Sequence, residues 1–424
     1  MAVGGAAVVS GCATTSVESN PGLSVDNPAN GGQGTKAWYI RGAKRAPSSL
    51  IESYSPMSSA LPGEPITVHT STSADEWNLE VFRIGDYEGL GGVRIAQLGP
   101  FPGEKQSGPK QVSDTRTMVA NWPVSTEVDT TGWAPGFYLL HAIAKDKRTE
   151  IPVVIRSAES KDAVAMIASA TTWQAYNQWG GRSLYGNMTG NIAERSYAVS
   201  FDRPYDRRGR GLLYAFEIPI MRVAEEAGVP LAYMTNVDIT LNPNILDGAT
   251  AAVSTGHDEY WTVQYRDALD RLRDKGGNLA FFGANTCYWR VRVPDSGDDA
   301  GKLVTCYKSA SLDPVKDSRA TTARWRDAPH ANPENAIIGQ LYDAFPATGA
   351  LTIRDPDFFL FADTDATEGA KYEGLIGPET DRFYDNKATP RPIQIPALSE
   401  VNSGGDKTWS TITSITAARP ARTA

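Results

Sequence analysis

The feature that most constrains the fold lies after Ser157, where short apolar runs alternate with amphipathic stretches that end in glycine. Ala163-Val164-Ala165-Met166-Ile167-Ala168 is continuously apolar, as expected of a strand buried on both faces. An amphipathic stretch from Tyr214 to Ala227 follows and closes on Gly228-Val229-Pro230, a helix stop. The strands Leu231-Ala232-Tyr233-Met234 and Ala251-Ala252-Val253-Ser254-Thr255 come next. A second helix over Thr262 to Lys275 is closed by Gly276-Gly277, and the apolar run Asn278-Leu279-Ala280-Phe281-Phe282-Gly283 completes the series. Strand and helix in alternation predict parallel βαβ units and an open, doubly wound α/β sheet, whose ligands lie beyond the carboxyl ends of the strands.

Before Ser157 the rhythm is different. Ile66-Thr67-Val68-His69-Thr70-Ser71 and Leu79-Glu80-Val81-Phe82-Arg83-Ile84 alternate apolar and polar residues, the mark of half-buried antiparallel strands. Gly136 to Ala142 and Glu150 to Arg156 read as a hairpin across Lys145-Asp146-Lys147-Arg148. These strands predict a β-sandwich domain over residues 36–157, followed by an α/β domain over 158–424. With 424 residues, two domains are the expected division.

Met1 to Ser10 is a short run of apolar and small residues ending in Val9-Ser10-Gly11-Cys12, which resembles a bacterial lipobox without the usual basic start. Residues 1–35 therefore read as a lipoprotein-type signal remnant and a flexible tether. The expectation is an exported protein, secreted or lipid-anchored at Cys12 in the cell envelope, with no other membrane contact. Export would let Cys287 and Cys306 pair. A net charge of −8, with Lys and Arg dispersed, argues against nucleic acid as a partner. Asp206-Arg207-Arg208-Gly209-Arg210 reads as a solvated Gly-rich loop.

Two predicted strand ends carry the reactive groups. One runs into Gly256-His257-Asp258-Glu259-Tyr260-Trp261, the other into Ala284-Asn285-Thr286-Cys287-Tyr288-Trp289. If the chain stays extended, His257 and Glu259 point the same way, and an imidazole aimed with a carboxylate makes a proton-transfer or metal site. The plainer alternative is that His257 caps a helix and Glu259 sits in its first turn. A third segment, Thr171 to Gly181, reads as a site-lining loop too polar and Gly-rich to be buried in bulk, with Tyr176 and Asn177 at the same edge.

Three blocks taken in order, Trp173-Gln174-Ala175-Tyr176-Asn177 with Gly180-Gly181, Gly256 to Trp261, and Phe282 to Trp289, resemble the signature blocks of the N,N-dimethylformamidase large-subunit family. The resemblance implies a class I glutamine amidotransferase-like α/β domain and a mononuclear, ferric iron site held by two tyrosinates and a glutamate. Position by position, it implies Glu259 and Tyr176 as ligands, and Tyr138 in Pro135-Gly136-Phe137-Tyr138 as the second tyrosine. His257 is then the general acid or base and Asn285 a donor to the developing oxyanion. The block Gly374 to Arg382 resembles another family segment, in which an acidic residue, here Glu379, approaches the histidine. The expected activity is metal-dependent hydrolysis of the carbon–nitrogen bond of a small amide, with a homo-oligomer or small-subunit partner compatible with it. The segment Thr411 to Pro420 departs from the family pattern, as a frameshift or truncation would make it. The alternative function is a lipid-anchored protein that binds a glycan or small ligand through its β-domain. That reading takes the amidotransferase-like domain as inactive, since Cys287 lacks the sharp glycine-flanked turn of a nucleophile.

Overall fold

A computed structural model describes residues 32–403 and 410–418 of the chain. Cys12 and most of the proposed tether lie outside the described residues. Among those described, no helix is long and apolar enough to cross a membrane.

The architecture is mixed α/β with several sheets. In the N-terminal part a five-stranded sheet runs in the order Ser59–Ala60, Lys147–Ile155, Gly136–Ala144, Glu76–Ile84, Gly92–Pro102, and a three-stranded sheet pairs Ile51–Tyr54, Ile66–Thr72 and Thr126–Val128. The hairpin predicted across Lys145 to Arg148 is present, with Lys147 opposite Ala144 and Ile155 opposite Gly136. Because side chains alternate along a strand, the five-stranded sheet serves two cores. Leu79, Val81, Tyr138 and Leu140 pack with Ile66 and Val68 of the smaller sheet. Their neighbours Phe82, Ile84, Phe137 and Leu139 pack instead with Met166, Trp173, Met221 and Tyr233 of the α/β part. Both faces of this sheet are thus withdrawn from water.

The α/β part is built on four parallel strands in the order Leu231–Thr235, Val164–Ala168, Ala251–Ser254, Asn278–Phe281. The first strand in the chain lies inside, the second flanks it on one side and the third on the other, so the winding direction reverses beside Val164–Ala168. Such a reversal opens a crevice at the carboxyl ends of the strands. The helix Val263–Asp274, which Thr262 caps through its side chain, follows the prediction.

Four expectations change. Asp206 to Arg210 is the start of a helix, Arg207–Leu212: the Asp206 carboxylate accepts from the Arg208 and Gly209 amides, and Arg210 reaches the buried Glu150 at 3.1 Å. The stretch from Tyr214 begins as a π-helical turn, Leu213–Glu217, before Ile218–Glu226 continues as α-helix. Thr171 to Tyr176 is helical, not a loop, and is buried as far as Ala175. Several of its polar groups are satisfied internally, because the buried Arg203 guanidinium donates to Gln174 Oε1 and to the Gln174 and Asn177 carbonyls. Cys287 and Cys306 are buried free thiols.

A C-terminal antiparallel sheet, Lys371–Ile376, Ala347–Ile353, Ile393–Ser403 and Ser410–Ala418, completes the chain. The short strand Thr380–Arg382, paired with Leu341–Ala344, brings the residues around Glu379 back toward the parallel sheet.

Candidate active site

The site receives the segments that follow three of the four parallel strands. Beyond Ala251–Ser254 the chain bends at Gly256, and the side chains divide: His257 and Glu259 lie together, while Asp258 is bonded elsewhere. Asp258 accepts from Tyr265 Oη at 2.8 Å, Ser254 Oγ at 3.1 Å and Asn236 Nδ2 at 3.2 Å, which ties the segment to two neighbouring elements. The Glu259 amide donates to Thr172 Oγ1 at 3.1 Å, and the Glu259 carbonyl accepts from the amides of Tyr288 and Trp289. Two glycines let these chain turns close up. A Cβ on Gly283 would stand 2.4 Å from the Gly256 carbonyl oxygen, and one on Gly256 would stand 2.5 Å from Glu217 Cγ.

On the crevice side, oxygen atoms converge. Tyr176 Oη donates to Glu259 Oε2 at 2.8 Å, and Tyr185 Oη lies 2.5 Å from Oε1 and 2.7 Å from Oε2 of the same carboxylate. The two phenol oxygens are 3.0 Å apart. His257 Nε2 is 3.1 Å from Tyr176 Oη, 3.3 Å from Glu259 Oε2 and 3.8 Å from Glu379 Oε2, while Nδ1 faces the Ala284 carbonyl at 3.2 Å. The ring is thus held from both ends, as a proton-transfer group must be. Phe216, from the π-helical turn, covers it at 6.1 Å between centroids.

Electrostatics follow from this packing. Burial works against the charged imidazole, but the Glu259 hydrogen bond and charge, with Glu379, outweigh it and push His257 up to about 9. Burial alone would raise Glu259; His257, Lys308 and the Tyr185 hydrogen bond hold it below the ordinary carboxylate value instead. Both phenols are driven well above 10, first by burial and then by the Glu259 charge. Burial also raises Glu379, against the pull of His257. Lys308 completes the surroundings: its Nζ rests 3.5 Å from the Tyr185 ring centroid, 4.8 Å from Trp289 and 5.2 Å from Tyr260. Burial among these rings lowers the ammonium to about 8, with the Glu259 charge opposing.

Asn285 follows the fourth parallel strand. It has φ of 61°, its amide donates to the buried Asp381 carboxylate at 2.8 Å, and Asp381 is raised by burial to about 7. Asn285 Oδ1 and Glu379 Oε2 are buried with no hydrogen-bond partner among the described residues. Such groups are costly unless something bound there satisfies them.

Of the residues expected from the sequence, Tyr176, His257, Glu259 and Glu379 meet here, with Asn285 adjoining. Tyr138 does not. Its hydroxyl donates to the Ala134 carbonyl at 2.6 Å, and its ring stacks on Trp133 in the core between the two N-terminal sheets. The strand pleat explains this, since Phe137 and Leu139, not Tyr138, face the α/β part. The phenol beside Tyr176 is Tyr185, at the tip of a hairpin between Arg182–Ser183 and Gly186–Asn187. A Leu-Tyr pair set between short segments just past Gly180-Gly181 was the available signal. Lys308 and Phe216 gave none. Among the described residues no three His, Cys, Asp or Glu side chains form a metal-binding group, so any ion at this site would depend on the tyrosines.

No curated protein sequence matches the chain. One family model does, over residues 78–423, a span that takes in the five-stranded sheet's centre, the whole oxygen cluster, and the segment from Thr411 that had read as departing from the pattern. On that match the chain belongs to the N,N-dimethylformamidase beta subunit-like, C-terminal family.

Proposed function

We propose that this protein is a metal-dependent hydrolase of the carbon–nitrogen bond in a small amide. The observation that carries the reading is the Glu259 carboxylate taking both the Tyr176 and Tyr185 hydroxyls while His257 stands beside it. Membership in a family named for a formamidase supports enzymatic hydrolysis in general. The donor set supports the metal: three hard oxygens within 3.0 Å of one another match a hard cation better than a soft one. Tyr176, Tyr185 and Glu259 would hold iron, which when bound supplies Lewis-acid polarisation of an amide carbonyl and acidifies a water, without redox change. Protons that leave the two phenols on binding would make affinity rise with pH.

The protein's own groups account for the remaining steps. Hydrolysis adds hydroxide to the carbonyl carbon and a proton to the departing nitrogen. An imidazole poised near 9 is charged at neutral pH and serves as the acid that protonates the amine. Glu379 fixes the ring from the far side, and Phe216 excludes water above it. Asn285, anchored through its backbone to Asp381, offers its side chain to the oxygen that gains charge. The two-sheet N-terminal region and the parallel sheet with its reversal support the reading as a β-sandwich followed by a doubly wound amidotransferase-like domain. The lipobox-like run ending at Cys12 supports an exported protein.

Metal analysis of purified protein, followed by an amide panel after iron reconstitution, is the test. Iron at about one ion per chain and release of amine are expected. A Glu259→Gln protein that keeps both iron and turnover would overturn the proposal.

A further inference from the structure

Beside the oxygen cluster, on the other side of Lys308 and Trp289, lies a cavity of about 420 Å³, a volume in the range of small-molecule sites. Lys308, Ser309, Ser311 and Arg324 line it together with the faces of Tyr288 and Trp289. Asp327 is the single carboxylate in the wall and is engaged by Arg324 at 2.7 Å. Lys308 is different. Among the described residues its ammonium has no carboxylate within ion-pair distance and no side-chain hydrogen bond; the Glu259 charge acts on it from farther off, and three aromatic rings stand around it. Aromatic faces stabilise a cation but leave its N–H donors without acceptors.

From this we infer that the cavity binds a small carboxylate, paired to the Lys308 ammonium and flanked by the Ser309 and Ser311 hydroxyls. Two observations support an anion. The wall carries two cations against one carboxylate, in a chain whose net charge is −8. The backbone at Lys308 adopts φ of 58°, a conformation uncommon for lysine, at a position that lines the cavity. A carboxylate here has two sources: the free acid that amide hydrolysis releases, or an acidic end on the substrate itself. Only the first source rests on the proposed hydrolase activity; the binding site does not.

Equilibrium binding to the purified full chain tests this, read by calorimetry and by Trp289-region fluorescence. Acetate is compared with acetamide, and N-acetylglycinate with N-acetylglycinamide. Each carboxylate is expected to bind about tenfold more tightly than its neutral counterpart, as a charge-assisted hydrogen bond allows, and to weaken as salt rises. Preference for acetate identifies the free acid; preference confined to N-acetylglycinate identifies an acidic substrate. Lys308→Met should erase the preference and Lys308→Arg should keep most of it. Equal affinity within both pairs, or a preference unchanged in a folded Lys308→Met protein, overturns the inference. The wild-type comparison decides even where the variant does not fold. Amide cleavage without carboxylate preference would sink this inference and leave the hydrolase reading standing, and carboxylate binding without cleavage would do the reverse.

Discussion

Two glutamates in this molecule, Glu225 half-buried and Glu259 buried, each stand among tyrosines, and they are arranged for different ends. Glu225 joins the five-stranded sheet to the α/β part: Arg83 pairs with it at 2.7 Å, Tyr233 Oη donates to it at 2.6 Å, and Arg83 also reaches Tyr87 Oη at 2.9 Å. Its cation is a guanidinium that stays charged at any physiological pH. Glu259 has a similar number of phenols around it, yet its cations are an imidazole and an ammonium, which lose their protons at about 9 and about 8. Its neighbours Asn285 and Glu379 each retain a buried oxygen without a hydrogen bond among the described residues. The first cluster matches its carboxylate with a fixed guanidinium, although Arg83 Nε too lacks a hydrogen bond among the described residues. The second gathers titratable groups and unbonded acceptors about one carboxylate, which is what separates a site from a structural ion pair.

The contrast is broken most directly by neutralising each glutamate's environment in turn. Glu259→Gln is expected to lower kcat/KM for any amide turned over by at least about a thousandfold, and to release iron, because the carboxylate joins the two phenols. In the metal-free variant, the His257 titration followed by NMR should fall from about 9, since only Glu379 and the Ala284 carbonyl then oppose burial. Arg83→Met should act on stability: removing one partner of a half-buried pair costs about 2 kcal/mol, seen as a lower denaturant midpoint, with iron per folded chain unchanged. If Arg83→Met instead spares stability and empties the metal site, the two clusters are not independent and the comparison fails.

How far the sequence reveals this contrast depends on the scale of the signal. The parallel strands were legible because short apolar runs alternate with amphipathic stretches that end in glycine, and His257 with Glu259 because they stand two residues apart at a strand end. What escaped was set by tertiary hydrogen bonding. Nothing local marks Arg203 as the donor that lets Gln174 and Asn177 be buried, so the helix Ala170–Tyr176 read as an exposed loop. The Asp206 cap that makes a helix of Arg207–Leu212 was in plain view, but charge density there read as solvent exposure. Lys308 arrives from far along the chain in a left-handed conformation that no periodicity encodes.

A third glutamate sharpens the comparison by lacking a cation altogether. Glu217 accepts from Trp173 Nε1 at 2.6 Å, lies under Gly256, and burial pushes it up to about 8. A carboxyl whose folded value exceeds its unfolded one binds its proton more tightly when folded, so the stability it contributes is complete below 4.5 and is lost as pH rises through 8. Glu217→Gln keeps an acceptor for Trp173 and carries no charge. Denaturant melts should show it flattening the decline across that interval and gaining on the order of 2 kcal/mol over the parent at pH 9. Equal slopes for parent and variant would mean that Glu217 is ionised in the folded protein.

The smallest effect bears on which tyrosines belong to which region. Tyr138 was expected as an iron ligand, but its hydroxyl makes one hydrogen bond, to Ala134, inside the core between the N-terminal sheets. Tyr138→Phe keeps the ring on Trp133 and removes that bond, which should cost about 1 kcal/mol. Iron content, and the absorption that tyrosinate ligands give to ferric iron, should be those of the parent. Tyr185→Phe should change both while leaving the melting midpoint within about 1 kcal/mol, since Tyr185 packs against Tyr176 and Lys308 through its ring. Loss of the iron absorption in Tyr138→Phe with retention in Tyr185→Phe would return the second ligand to the β-strand and require the two sheets to part from the arrangement described.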